Sequence, residues 1–417
     1  MDWECRPITE CIACGSSDLV PVLDLNSQPL ANSYKKEKLE QQAEYPLAIN
    51  RCKHCYHVQL THQVNPELMF KDYAYVSGTA KTSLEYFNWL VEKIVNRYGS
   101  TPKNVLDIGC NDGSFLNAWG GTGASTYGVD PAENLHPISS VHHSVHCGFF
   151  TGKEFGDKKF DAITCLNAFA HNADQLTLLK NIKTRMHEDS LLFCSISQAN
   201  MIINGEFDTI YHEHLSFYNI KSARALCERA GLHLIDVIEH PIHGGSLIFV
   251  ISRDKEAKLL IEQKIVEEEN YGLYDPDTYI TYAEKAYKTA AKFAETIRDY
   301  RLKGIKVIGY GAPAKGNTLM NFANEGPDFI VDDNELKQLH FTPGLSVPIY
   351  SASYMTLNYF ETPTVCFVPL AWNFYDEIVG KIKELRPPHT HKDIFVRYFP
   401  RFEINEDRKS TRLNSSH

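Results

Sequence analysis

The chain has 417 residues, 43% hydrophobic and 23% charged, an ordinary globular balance that provides for two or three cores. Its formal charge of −10 weighs against a nucleic-acid surface, whose affinity comes largely from Lys and Arg on phosphates. No apolar run approaches the ~20 residues of a membrane span, and the opening "MDWECRPITE" lacks the basic start and apolar core of a secretory signal. A cytoplasmic chain with neither a membrane nor a nucleic-acid partner is expected, and in that reducing compartment its eleven cysteines are not expected to form disulfides.

Residues 1–70 carry two cysteine pairs and little long periodicity. "CIAC" places Cys11 and Cys14, and "CKHC" places Cys52 and Cys55, two intervening residues apart in each case. A C-x2-C knuckle aims two thiolates at one ion, and two knuckles complete a tetrahedral zinc site. Thirty-seven residues separate the pairs, so the loop between them must fold back. Cys5 and His57 are alternative ligands. A thioredoxin-like redox pair is the rival reading, but it needs one such motif on a βαβ unit. With four protein ligands no position stays open, so the zinc is structural.

From 71 to 253 short apolar strands ("NVLDIGC", "STYGVD", "FDAITCLNA", "SLLFCSIS", "GSLIFVISR") alternate with helical stretches, which indicates a doubly wound sheet. "NVLDIGCNDGSFL" reads as a strand, a Gly-rich turn and a helix. Asp130 follows Asp107 by twenty-three residues, at the end of the next strand, where an acid suits a ribose diol. Asn111 stands where a dinucleotide turn needs its second glycine. The run Asp107-Ile-Gly109-Cys-Asn-Asp112-Gly113 resembles the first motif of class I S-adenosylmethionine-dependent methyltransferases, roughly D-x-G-x-x-x-G. "FDAITCLNAFAH" is similar to that family's fourth strand, with Asn167 near the cofactor. A tight packing turn is the structural alternative.

Residues 209–218, "TIYHEHLSFY", crowd two histidines, a glutamate and two tyrosines together. They lack H-E-x-x-H spacing, and adjacent side chains diverge, so a metal cluster is disfavoured. Buried, hydrogen-bonded histidines are the bland alternative. "HGGSL" reads as a turn entering the next strand, and a role for His243 near the pocket stays open.

Two helices follow, split near Pro276, the second ending at Gly304. "KVIGYGAPAKGNTLMNF", "DFIVDD" and "TPTVCFVPL" then start a second α/β unit. Its turn reads G-x-G-x-x-A (Gly309, Gly311, Ala314), with Asp332 eighteen residues past Ala314. Lys315 and Lys337 offer charge to phosphates and the helix start offers amides, although Pro313 has none. On pattern alone this turn holds an anionic nucleotide, NAD included. The last ten residues, "RKSTRLNSSH" (408–417), resemble translated vector sequence and are set aside.

Zinc knuckles, a methyltransferase core and a second Rossmann-like unit, in that order, resemble the three-domain sugar C-methyltransferases that act on nucleotide-linked 4-keto-deoxysugars. "LDLNSQPLANSY", "YPLAINRCKHCYHVQL", "YAYVSGT", "YHEHLSFY", "HGGSL", "GYGAPAKGNTLMNF" and "TPGLSVPIY" carry the resemblance from Cys11 to about residue 400. It implies an α/β protein with a zinc-binding domain at 1–70 and a class I methyltransferase core at 71–253. A helical linker with a second Rossmann-like domain follows at 254–407. It also implies that the second turn holds the substrate's nucleotide diphosphate, through Gly311, Lys315, Asn317 and Lys337, while Asp107, Gly109, Asp112, Gly113, Asp130 and Asn167 hold S-adenosylmethionine. By the same resemblance His214 takes a proton from carbon beside the ketone. Glu213 and Tyr211 hold the sugar or stabilise charge, and Tyr75 and His171 line the pocket. Gly78 stands where the resemblance predicts a bulkier, serine-rich wall. The other enzyme reading, an NAD-linked oxidoreductase acting on a nucleotide sugar, rests on the 309–314 turn alone.

Overall fold

The computed structural model describes residues 3–70, 76–79, 81–196, 199–240, 246–388 and 390–406. Tyr75, His243 and the 408–417 tail lie outside these. The chain divides into two compact units. One comprises 1–24, 47–203 and 212–280; the other comprises 25–46, 204–211 and 281–417. By compactness, residues 1–70 are shared between the two units. Cys11, Cys52 and Cys55 share a core with Phe160, Leu192 and Phe249 in the first unit. Residues 25–46 fold with the second unit, where Lys35 and Phe341 exchange backbone hydrogen bonds at 2.9 and 2.8 Å. Residues 254–280 join the first unit because Ile261, Ile265 and Tyr274 complete its core.

The first unit is built on a seven-stranded sheet. From one edge its strands are His233–His240, Ser246–Ser252, Met186–Ile196, Phe160–Leu166, Asn104–Ile108, Ser125–Asp130 and Ser144–Cys147. The five from Met186–Ile196 to Ser144–Cys147 pair in parallel, while Ser246–Ser252 runs antiparallel to both its neighbours. Strands covered on both faces need continuous apolar runs, and Leu191 to Ile196 is buried throughout. Helices supply the cover. Lys81–Tyr98 buries Tyr86, Phe87, Leu90, Val91 and Ile94, the three-to-four spacing of a single helical face. Helix Ile220–Ala230 starts at an Asn219 cap and stops at Gly231, whose φ of 68° only glycine adopts readily. The edge strand His233–His240 was not expected, because Asp236 and Glu239 interrupt its apolar pattern.

The cysteine knuckles frame a four-stranded sheet in the order Ser216–Phe217, Val58–Leu60, Tyr45–Cys52, Leu19–Gln28. Its first strand belongs to the segment that follows "YHEH". The second unit carries a six-stranded sheet: Ile349–Tyr350, Phe329–Val331, Lys306–Tyr310, Val365–Pro369, Ile394–Arg397 and Glu403–Glu406, the last antiparallel. In both units the Gly-rich turn leaves a central strand flanked by strands from opposite directions of winding. This switch point is where open α/β sheets bind ligands. Among the described residues no helix is long and apolar enough to cross a membrane.

Candidate active site

Strand Asn104–Ile108 delivers the chain into a turn whose Gly109 and Gly113 both have φ of 81°. A Cβ on Gly109 would stand 2.4 Å from the Cβ of Ala168, so any side chain there would push the turn off the end of strand Phe160–Leu166. The neighbouring acid latches the turn: Asp130 Oδ2 accepts from the Asn111 N–H (2.8 Å) and Oδ1 from the Ala132 N–H (2.8 Å). Each carboxylate oxygen keeps a lone pair able to accept a further hydrogen bond. Asp107 is 2% exposed and accepts from Thr164 Oγ1 at 2.6 Å; burial pushes its pKa up to about 7. Asn167 has φ of 54°, with its N–H on the Ser195 carbonyl (2.9 Å) and its Oδ1 accepting from Ser195 Oγ (3.1 Å).

Asp112 is spent on local structure, accepting from Ser114 N (3.1 Å), Ser114 Oγ (2.7 Å) and Gly78 N (3.1 Å). This accounts for Gly78. A Cβ there would meet Ser114 Oγ at 2.1 Å and Asp112 Oδ2 at 2.7 Å, so the bulkier residue expected at this point has no room.

Residues 167–171 lead from the Gly109–Gly113 turn to the histidines. Ala168 touches Gly109, and the short helix Phe169–His171 ends in His171. The His171 ring stacks on Phe70 (centroids 5.6 Å, 4°) and on His214 (5.2 Å, 26°). Its Nε2 is buried without a partner, and burial pushes its pKa down to about 4, so the ring is neutral. His214 is half-buried, whereas His212 and Glu213 are 1% and 5% exposed. The Leu215 N–H donates to the Ala170 carbonyl (3.1 Å), fixing the histidine segment against the 167–171 loop. Tyr211 closes the 204–211 segment of the second unit and is half-buried there.

The sulfurs of Cys11, Cys14, Cys52 and Cys55 lie within 4.8 Å of one another. The Cys11–Cys55 and Cys14–Cys52 separations are 3.5 and 3.6 Å. Those distances are too long for a disulfide and close to the ~3.8 Å edge of a tetrahedron with 2.3 Å zinc–sulfur bonds. The Cys14 and His54 amides point at the Cys11 and Cys52 sulfurs, each at 3.4 Å. Thiols this close cannot all ionise without a cation. The Cys55 hydrogen bond draws Cys11 down to about 4, contact with Cys11 drives Cys55 far up, and burial pushes Cys14 to about 11. The set fits zinc. Neither Cys5 nor His57 belongs to it. His57 is fully buried with Nε2 3.1 Å from Ser216 Oγ, and burial lowers its pKa to about 4.

The second unit repeats the latch. Gly311 has φ of 80°, and Asp332 Oδ2 accepts from the Ala312 N–H (2.6 Å) as Asp130 does from Asn111. The Ala312 carbonyl accepts from Tyr34 Oη (2.5 Å) and Lys337 Nζ (2.9 Å). Lys315 Nζ lies 4.6 Å from the Trp372 ring centroid, and its charge favours ionisation of the buried Glu206 and Asp208, whose pKa values burial raises. Asn317 is fully buried; its Nδ2 donates to the Ala31 carbonyl (2.8 Å) and braces the loop, while its Oδ1 is buried without a partner.

A family model for a C-methyltransferase C-terminal domain matches residues 241–400, one for a methyltransferase domain matches 85–237, and one for a zinc binding domain matches 11–70. The C-methyltransferase NovU of Streptomyces niveus is 30% identical over 395 residues, spanning 91% of this chain and 93% of its own length. The chain belongs to the C-methyltransferase family. Over the core alone, the ubiquinone biosynthesis O-methyltransferase of Coxiella burnetii is 26% identical over 176 residues, 38% of this chain and 75% of that one. The C-methyltransferase is thus S-adenosylmethionine-dependent, with a structural zinc site formed by Cys11, Cys14, Cys52 and Cys55. As an account of what the enzyme does, the oxidoreductase reading of the 309–314 turn gives way to this assignment.

Proposed function

We propose that this C-methyltransferase acts in the cytoplasm on a nucleoside-diphosphate 4-keto-deoxysugar, deprotonating the carbon beside the ketone and methylating the enolate to give a branched-chain sugar. The observation that supports the reading is the chain of contacts from Gly109 to Ala168 and, along the chain, to His171 stacked on His214, which links the Gly-rich turn to an imidazole pair. S-adenosylmethionine supplies an electrophilic sulfonium methyl when bound. A sugar C–H becomes acidic only next to a carbonyl, so the reaction requires a base that works near neutral pH, and an imidazole suits that task. His214 takes the proton. Glu213 and Tyr211 hold the sugar or stabilise the developing charge. Neutral His171, with Tyr75, walls the pocket.

Asp107, Gly109, Asp112, Gly113, Asp130 and Asn167 shape the cofactor turn, and Asp130 takes the ribose diol. Gly311 brings bare backbone to the substrate's diphosphate, while Lys315 and Lys337 add positive charge and Asn317 braces the turn. In this division of labour the segment within 1–70 stabilises, 71–253 binds the methyl donor and 254–407 binds the nucleotide.

Methyl transfer from labelled donor to a panel of nucleoside-diphosphate 4-ketosugars tests the reading, with solvent deuterium exchange at the ring carbon followed separately. His214→Gln should cut both by at least ~100-fold, the usual scale for a lost general base, while both ligands still bind. Near-wild-type turnover in that variant would remove His214 from the role.

A further inference from the structure

The residues just after His214 belong structurally to the zinc knuckle. Ser216 and Phe217 pair antiparallel with Gln59 and Val58, and the Leu60 N–H donates to the Leu215 carbonyl (3.0 Å). Val58 lies three residues past Cys55, and the His57 carbonyl accepts from the Cys52 N–H (2.9 Å). The tie closes at Asn219, which is fully buried. Its Nδ2 donates to the carbonyls of Cys55 (3.1 Å) and Tyr56 (2.8 Å), while its Oδ1 accepts from the Ser222 N–H (2.7 Å) as the helix cap. One amide side chain thus spans the knuckle and the helix that follows the histidine segment. Between His214 and that tie, Leu215 is held to Ala170, next to the His171 ring that stacks on His214. Both anchors lie on the C-terminal side of His214.

We propose that Asn219 is a positioning residue for His214, clamping the segment that carries the base onto the carbonyls of the Cys52–Cys55 knuckle. The inference rests on the reading of His214 as the base. It gives the zinc site a part in catalysis without any contact with substrate: the filled knuckle holds the Cys55 and Tyr56 carbonyls in place, and Asn219 transmits that register to residues 215–218. Small displacements of a reacting group cost up to ~100-fold in rate, so a loosened clamp acts on kcat.

Asn219→Ser isolates the clamp. Serine keeps a hydroxyl able to cap the helix but is too short to reach both carbonyls. Zinc content, S-adenosylmethionine affinity, amide hydrogen exchange at 215–218 and turnover of a nucleoside-diphosphate 4-keto-6-deoxyhexose are measured on the zinc-loaded full chain. The expected result is one zinc per chain, donor affinity within twofold, exchange at 215–218 at least tenfold faster, and kcat lower by ~10- to 100-fold with little change in KM. Unchanged exchange overturns the clamp, and so does faster exchange with unchanged kcat. Asn219→Asp, which retains the cap and the side-chain length, takes the same test if the serine variant fails to fold. His214→Gln separates the two ideas. If that variant turns over normally the base assignment falls, whereas the exchange comparison still decides whether Asn219 holds the segment.

Discussion

The imidazoles of His171 and His214 stack with ring centroids 5.2 Å apart and planes 26° from parallel. Two adjacent protonated imidazoles would repel, but His171, its pKa driven down to about 4 by burial, stays neutral throughout the physiological range. It therefore serves His214 as a flat, uncharged wall. Replacing it with another flat ring should preserve that service. His171→Phe is expected to keep kcat within about threefold and leave the acid limb of the pH–rate profile in place, whereas His171→Ala opens the stack and costs about tenfold or more. A moved acid limb in the phenylalanine variant would mean that His171 itself handles a proton.

If the ionised Asp107 faces the bound donor, it couples donor binding to pH. Burial raises its carboxyl from 3.8 to about 7, so between those values the folded chain holds a proton that the unfolded chain has released. Stability from this group is complete below about 4 and declines as pH rises through 7. A cationic ligand reverses the preference, because the ionised form attracts the sulfonium compound. The dissociation constant for S-adenosylmethionine should rise as pH falls below 7, approaching about tenfold per unit, and Asp107→Asn should abolish that slope. Calorimetric titration between pH 5.5 and 8 measures it. A flat profile in the wild-type chain would show that Asp107 does not ionise beside the donor.

Zinc removal should be felt far beyond the knuckles, because three of the four cysteines are part of the first unit's main core. Structural zinc sites contribute folding free energy outright, about 10–16 kcal/mol in isolated zinc-finger peptides. Here the surrounding core remains, so a fraction of that is expected. A loss of ~3–4 kcal/mol corresponds to a melting temperature lower by roughly 10 °C for a unit of this size. Atomic emission should find one zinc per chain, and Cys11→Ser should lower both zinc content and melting temperature. Unaltered melting after complete metal removal would contradict a structural role.

What could be read in advance depended on how local the physics is. The knuckles were legible because two residues between cysteines fix where both sulfurs point. The turns were legible because only glycine tolerates φ near 80° with a neighbour 2.4 Å from the absent Cβ, as at Gly109. Long-range partnerships were not. Nothing near Tyr34 or Lys35 announces that they bind the Ala312 carbonyl and Phe341, some 280 to 300 positions away, and so draw 25–46 out of the zinc segment. His57, adjacent to a knuckle, has the spacing of a possible zinc ligand, yet the fold turns its ring to Ser216. Asn219 looks like an ordinary helix cap; its second function exists only because the Cys55 and Tyr56 carbonyls arrive beside it.

The two Gly-rich turns are latched in the same way, Asp130 onto the Asn111 amide and Asp332 onto the Ala312 amide, but they lie in different compact units. If one takes the methyl donor and the other the nucleotide of the substrate, damage to one should not be read out at the other. Gly311→Ala provides the test. At φ of 80° a side chain costs about 1–2 kcal/mol in backbone strain, and its Cβ would press the Ala371 Cβ at 3.3 Å. The turn can relieve this only by shifting the backbone that would face the diphosphate. KM for the nucleotide sugar should therefore rise about tenfold while S-adenosylmethionine affinity stays within twofold. A matching loss at the donor site, or an unchanged KM, would show that the second turn does not carry the nucleotide.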